Sequence, residues 1–368
     1  MSATLPPEWA PQAWLWIGFP HLADEWPRYL ARAQEQIAGF ANAVAESGQE
    51  VRLLVRDAAN EARARSLVSG AVKLERRVFG DVWLRDTGPL VRSDGVGNRD
   101  ALRCRFNGWG GKYLMEGDQT VGADLARDAG LAVVQGDWIL EGGAIDGDGT
   151  GLVVTTEQCL LNPNRNPALT RDDIEARLKR DLGFDRVVWV GEGLLNDHTD
   201  GHVDNLARFV GPNRLALPMA TGRDDPNAAI YADAKARAQA FGVDVAEIPS
   251  PGLISRGDFV EPASYANFAI TTNLVVVPTF GSPHDKDGIA AGRVQRRDAI
   301  GLGAGQQVHR QQLPVHLGPR SVGDRAHVDI AEQHVRVDLL VEEQRNIDAI
   351  DLDTPMLAQG FRIWLLQR

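Results

Sequence analysis

The chain has 368 residues, 43% of them hydrophobic and 24% charged, enough to bury a sizeable core in one large domain or two ordinary ones. Lysine and arginine number 39 against 50 aspartates and glutamates, and the net charge of −11 disfavours nucleic acid and anionic membrane surfaces while suiting a cationic small molecule. Cys104 and Cys159 are too few for a disulfide framework; with no basic-then-apolar leader at Met1–Trp9 and no run of roughly 18 apolar residues, the expected location is the cytoplasm.

From Pro27 to Ser47 apolar residues recur at Leu30, Ile37, Phe40, Ala41 and Val44, which predicts a helix ended by Gly48 before a strand at Val51–Val55. The same order returns three times. Helices at Gln119–Ala129, Arg171–Leu182 and Asn227–Phe241 end at Gly130, Gly183 and Gly242, before strands at Leu131–Val134, Val187–Val190 and Val243–Ile248. Their starts lie roughly 50 to 57 residues apart, a spacing that points to repeated supersecondary units. Between them, Asp-Gly and Gly-Pro turns punctuate strand pairs at Ala144–Thr155 and Leu206–Leu217. The implied unit is two strands, a helix and another strand around an axis, in one domain. A doubly wound parallel sheet is less attractive, because no Gly-x-Gly-x-x-Gly turn follows a strand.

The densest polar cluster is His198-Thr199-Asp200-Gly201-His202-Val203-Asp204. In an extended segment His202 and Asp204 share a face, about 7 Å apart, where both could address one ligand. Three readings stay open: a turn with solvated side chains, a metal site through His198, His202 and Asp204, and metal-free acid–base catalysis with His202 as proton carrier. A second cluster, Asp81 to Pro89, sets Asp86 at a sharp turn, or makes Arg85–Asp86 an ordinary surface pair. In a third, Trp138 to Gly143, Glu141 precedes a diglycine that admits close backbone approach, or is the exposed corner of a hairpin. Phe106 to Tyr113, with Trp109 at its centre, offers aromatic walls and flexible joints suited to covering a substrate.

Together these segments resemble the agmatine deiminases, relatives of the bacterial peptidyl-arginine deiminases within the guanidino-group-modifying superfamily. The likeness runs from Pro6-Pro7-Glu8-Trp9 through Trp83–Pro89, Phe106–Tyr113, Glu141-Gly142-Gly143, Thr155–Asn166, His198–Asp204 and Val277–Asp285. It implies an α/β fold, the five-bladed pseudo-symmetric α/β propeller (pentein) of repeated ββαβ units, as a single deiminase domain over 1–368. It further implies that Asp86 and Asp204 grip a guanidinium, that His202 is the general acid/base, and that Glu141 and Trp109 belong to the substrate pocket. Agmatine plus water would give N-carbamoylputrescine and ammonia, a step in putrescine formation, with neither metal nor organic cofactor; arginine and peptidyl-arginine are the alternative substrates. A homodimer is the assembly the likeness implies.

The likeness is carried by residues 1–287 and fades over 288–368. The family nucleophile, a cysteine after a glycine-rich turn, would fall near positions 310–320, where the chain reads Val308-His309-Arg310-Gln311-Gln312-Leu313-Pro314-Val315-His316. Re-reading codons for Arg310–Leu317 from the second base can restore a turn followed by a cysteine, so a shifted reading frame is one explanation. Cys104 and Cys159 are expected to be buried framework residues. The second class of function is therefore a non-catalytic guanidine- or polyamine-binding protein.

Overall fold

The computed structural model describes residues 3–299 and 364–367. Near the amino terminus β1 (Gln12–Gly18), α1 (Leu30–Glu46), β2 (Glu50–Val55), α2 (Ala58–Arg65) and β3 (Val72–Arg76) follow one another, and the three strands pair in parallel. The helical spacing of α1 buries Ile37, Phe40, Ala41 and Val44 against Leu15, Ile17, Val51 and Leu53. Asp57 caps α2 by accepting the Asn60 N–H at 2.8 Å.

Three sheets of one topology follow. Ahead of the first strand pair lies the single-turn helix α3 (Leu84–Thr87). Then β4 (Leu90–Ser93) and β5 (Arg99–Arg105) pair antiparallel; the short turn α4 (Gly108–Gly111) and α5 (Val121–Asp128) lead to β6 (Ala132–Ile139), parallel to β5. In the next unit β7 (Ile145–Gly147) and β8 (Leu152–Thr156) are antiparallel, and α6 (Glu157–Leu160) and α7 (Arg171–Leu182) lead to β9 (Arg186–Val190), parallel to β8. The third repeats the order with β10 (Arg208–Gly211), β11 (Arg214–Met219), α8 (Ala228–Phe241) and β12 (Asp244–Pro249). Helix α7 shows how the sequence sets its own limits. Thr170 and Asp173 form a reciprocal capping box, acidic residues occupy its first turn and basic ones its last, and Gly183 closes it at φ 79°.

Beyond β12 come the small ladders β13 (Ser255–Arg256) with β14 (Phe259–Val260) and β15 (Ala269–Ile270) with β16 (Val275–Val276), then α9 (Asp285–Ala299). The strand β17 (Trp364–Gln367) pairs antiparallel with β1. The fold is mixed α/β, and the repeated two-strand, helix, strand unit read from the sequence is present three times in full. In the first sheet α1 and α2 are both crossovers between parallel strands. The stretch near 310–320 and the re-read segment within it lie outside the described residues. Among the described residues no helix is long and apolar enough to cross a membrane.

Candidate active site

Three short irregular segments, each just ahead of a repeat's first strand or strand pair, carry the acidic groups inward. In the first, α3 places Asp86 4% exposed. Its Oδ2 accepts from Trp109 Nε1 at 3.0 Å and its Oδ1 from the Gly143 N–H at 2.8 Å. Arg85 is not half of a surface pair with Asp86. Its side chain turns to Glu8 Oε2 at 2.8 Å and to Asp204 Oδ2, 3.7 Å from its Nε, because two buried acids lie on that side.

In the second segment Glu141 precedes the 3-10 turn Gly142–Ala144 and is wholly buried rather than exposed at a hairpin corner. Its Oε1 accepts from Arg165 Nε at 2.7 Å, whereas Oε2 has no hydrogen-bond partner. Burial raises the Glu141 carboxyl above the usual range; Arg165 opposes the shift and Asp86 adds to it. Arg165 itself bridges Glu141, Asp200 Oδ2 at 2.5 Å, Asn164 Oδ1 at 2.8 Å and the Thr199 carbonyl at 2.8 Å, so its planar fork ties the second segment to the third.

The third segment, His198 to Asp204, is a turn and not a strand. Asp200 and Gly201 have φ of 62° and 78°, and Val203–Asn205 is a 3-10 turn. Local acceptors outcompete a ladder here: Asp197 Oδ1 takes the Thr199 N–H and hydroxyl, and Thr199 Oγ1 takes the His202 N–H at 3.1 Å. His202 and Asp204 converge all the same, both wholly buried. A Cβ on Gly143 would lie 2.5 Å from His202 Nδ1 and 2.8 Å from both Asp204 Oδ2 and Asp86 Oδ1, so three side chains meet over a glycine that has to lack one. Neither Asp204 oxygen accepts a hydrogen bond among the described residues. Buried carboxylate oxygens without donors are costly, and a cation rich in N–H groups is the chemistry that would repay them.

Trp109, in the left-handed region at φ 52°, is 3% exposed and stacks edge-on to Phe106 at 4.9 Å. Lys112 Nζ fastens this loop to the third segment through the His198 carbonyl at 2.8 Å and Asp200 Oδ1 at 2.5 Å. The structure thus brings Asp86, Trp109, Glu141, His202 and Asp204 to one locality. His198 meets the aromatic loop instead: its Nδ1 lies 3.2 Å from the Tyr113 hydroxyl and its ring stacks on Phe259. The donor atoms that close to within 4.8 Å of one another belong to Glu141, Cys159 and His202, not to the His198, His202, Asp204 set read from the sequence.

Cys104 and Cys159 are both buried, as expected of framework thiols. Burial pushes Cys104 up to about 12 and raises Cys159 well above its usual value, with the Glu141 carboxylate adding to the latter. Motif reading missed that Cys159 reaches the site. Thr156 Oγ1 caps α6 through the Cys159 N–H at 3.1 Å and donates to the Gly201 carbonyl at 2.6 Å, which holds the thiol beside the third segment. Arg165 was also missed, although it sits in the Thr155–Asn166 stretch beside Asn164, whose Oδ1 accepts from its guanidinium. A separate surface groove lined by Thr4, Leu5, Pro7, Arg92 and Gly149 gathers no acid, thiol or imidazole.

The profile of the Porphyromonas-type peptidyl-arginine deiminase family matches residues 4–299, and the chain belongs to that family. Among curated relatives, the agmatine deiminase of Ectopseudomonas mendocina is 36% identical over 318 residues, 77% of this chain and 85% of the relative. That of Stutzerimonas stutzeri is 34% identical over 323 residues, covering 76% and 84%. Among solved structures, the agmatine deiminase of C. jejuni with substrate bound superposes with a TM-score of 0.75 at 28% identity, covering 81% of this chain and 89% of that one. The agmatine deiminase of Enterococcus faecalis gives 0.74 at 26%, covering 80% and 88%. Named members of the family are thus hydrolases of C–N bonds.

Proposed function

We propose that this chain is an agmatine deiminase-type protein whose site grips a guanidinium between Asp86, Asp204 and Glu141, with His202 as proton carrier and Trp109 as a wall. The observation that carries the reading is the convergence of Asp86, His202 and Asp204 over Gly143, with Asp204 Oδ1 and Oδ2 and Glu141 Oε2 buried and without donors. A guanidinium is planar, permanently charged and has N–H donors along every edge, so opposed carboxylates fix its plane and make its central carbon more electrophilic. The relatives' names support agmatine over arginine.

In the deiminase reaction a thiolate adds to the guanidinium carbon, the tetrahedral adduct expels ammonia with a proton from the imidazole, and the same base then activates water against the thiouronium, releasing N-carbamoylputrescine from agmatine. In this reading His202 serves both proton transfers. The thiol is the missing piece, since both cysteines of the chain, Cys104 and Cys159, lie upstream of the C-terminal stretch where the resemblance places the nucleophile. Removing the nucleophile of a hydrolase costs on the order of 10⁶ in turnover. As written, the chain therefore binds a guanidinium and turns it over slowly or not at all.

The same reading takes the chain as one cytoplasmic deiminase domain, its repeats arranged as a closed five-bladed propeller, forming a homodimer and serving putrescine formation. The three complete repeats, the β17–β1 pairing and the start of a further unit at β15, β16 and α9 support five blades. Calorimetric titration of agmatine into the purified chain tests the core of the reading: saturable binding that Asp204→Asn weakens at least tenfold supports it, and absence of binding by folded protein sinks it.

A further inference from the structure

We infer that Glu141, Cys159 and His202 form a zinc site, and that zinc and the guanidinium exclude one another by competing for Glu141. The inference rests on the guanidinium reading only for the competition; the site itself stands on geometry. One donor atom from each residue lies within 4.8 Å of the others, and all three residues are wholly buried. Tetrahedral zinc holds sulfur, nitrogen and oxygen ligands with neighbouring donors about 3.3–3.6 Å apart, so the three need to draw in by about 1 Å. A second, independent observation is Glu141 Oε2, buried without a hydrogen-bond partner while its sister oxygen is held by Arg165.

The donor set selects the metal class. A thiolate beside an imidazole and a carboxylate suits zinc, whereas magnesium and calcium prefer oxygen ligands throughout. Arg165 does not repel the ion decisively, because its charge is shared between Glu141 and Asp200. Binding deprotonates Cys159, so one proton leaves for each ion bound, and the charge of the dication is met by Cys159 and Glu141, with Asp86 and Asp204 close by. Three protein ligands leave a fourth tetrahedral position open. The ion taken up here draws Glu141 Oε2 away from a guanidinium, which makes zinc an inhibitor of substrate binding and not a cofactor.

The test titrates zinc into the full chain, purified metal-free, by calorimetry, with elemental analysis after desalting. Cobalt(II) in parallel reports a thiolate ligand through its sulfur-to-metal charge-transfer band. We expect one zinc retained per chain, a cobalt band in the unmodified protein, loss of both in Cys159→Ser, retention of both in Cys104→Ser, and at least tenfold weaker zinc binding under saturating agmatine. If Cys159→Ser fails to fold, the cobalt band of the unmodified chain decides. No cobalt band, or zinc held equally well by folded Cys159→Ser, overturns the site; zinc binding through Cys159 that agmatine leaves unchanged overturns the competition. Agmatine binding to the metal-free chain is measured separately, so failure of the guanidinium reading is distinguished from failure of the zinc site.

Discussion

His202 Nδ1 lies 3.7 Å from Asp86 Oδ1, the oxygen that also accepts the Gly143 N–H. One carboxylate oxygen therefore links α3, the diglycine turn and the 197–205 turn. The imidazole is oriented against an acid while a backbone donor keeps that acid in place, which is the supporting geometry a proton carrier needs. Asp86→Asn keeps the shape and removes the charge. Agmatine affinity is expected to fall at least a hundredfold, read by calorimetry at neutral pH; a loss below threefold would mean that Asp86 shapes the pocket without holding the cation.

Gly143→Ala is the sharpest steric test. Its Cβ would meet His202 Nδ1 at 2.5 Å and two carboxylate oxygens at 2.8 Å, none of them at the end of a long flexible side chain. Overpacking of this kind costs about 1–3 kcal/mol. The expected result is a lowered melting temperature and agmatine binding weakened at least tenfold; unchanged binding would place the guanidinium elsewhere.

Arg165 is expected to matter as much as any acid. Its fork reaches Glu141, Asn164, Asp200 and the Thr199 carbonyl from a wholly buried position, so its loss strands Glu141 without a counter-charge. Arg165→Met should destabilise the fold by about 3–5 kcal/mol in denaturant unfolding. Arg165→Lys should recover little of it, because a point charge cannot serve four acceptors in a plane. Full recovery by lysine would show that charge, and not fork geometry, binds the segments.

Much of this site was legible from local motifs. Asp86, Trp109, Glu141, His202 and Asp204 each stand beside a glycine or a turn residue that marks an irregular backbone, and the helices α1, α5, α7 and α8 followed from apolar spacing and terminal glycines. The rest depends on tertiary contact. His198–Asp204 alternates like a strand, yet Asp197 and Thr199 satisfy its backbone locally and fold it into turns. Cys159 reads as a small core residue and is one, and only the packing of α6 beneath Gly201 brings it to Glu141 and His202. The strand β1 is a nearly continuous apolar run, and α2 is a polar helix with two buried residues, so neither announces itself by period.

Asp118 supplies a pH test away from the candidate ligands. It accepts the Gly80 N–H at 2.8 Å and the Asp81 N–H at 3.1 Å, and burial pushes its carboxyl up to about 6 against those stabilising bonds. The folded state therefore holds a proton that the unfolded chain, titrating near about 3.9, releases. Stability from this group is present at low pH and is lost as pH rises from about 4 through about 6. Asp118→Asn keeps one acceptor oxygen for both N–H groups and removes the titration. Relative to the unmodified chain the variant should be near neutral at pH 4 and gain about 1–3 kcal/mol by pH 7. Urea unfolding at both values measures it, and a pH-independent difference would assign the residue a purely hydrogen-bonding role.

The last prediction concerns turnover. The family step needs a thiolate facing the guanidinium carbon, and burial beside Glu141 holds the Cys159 thiol well above its usual value, unsuited to attack. Ammonia release from agmatine by the chain as written is therefore expected at background, unchanged by His202→Ala, even though agmatine binds. A version whose codons for Arg310–Leu317 are re-read from the second base should gain turnover by several orders of magnitude, and His202→Ala should abolish that gain. Sequencing the gene across codons 285 to 320 decides whether the re-read frame exists in nature. Turnover by the chain as written that His202→Ala removes would place a working nucleophile among its own residues, and Cys159, within 4.8 Å of His202, would be the first to substitute.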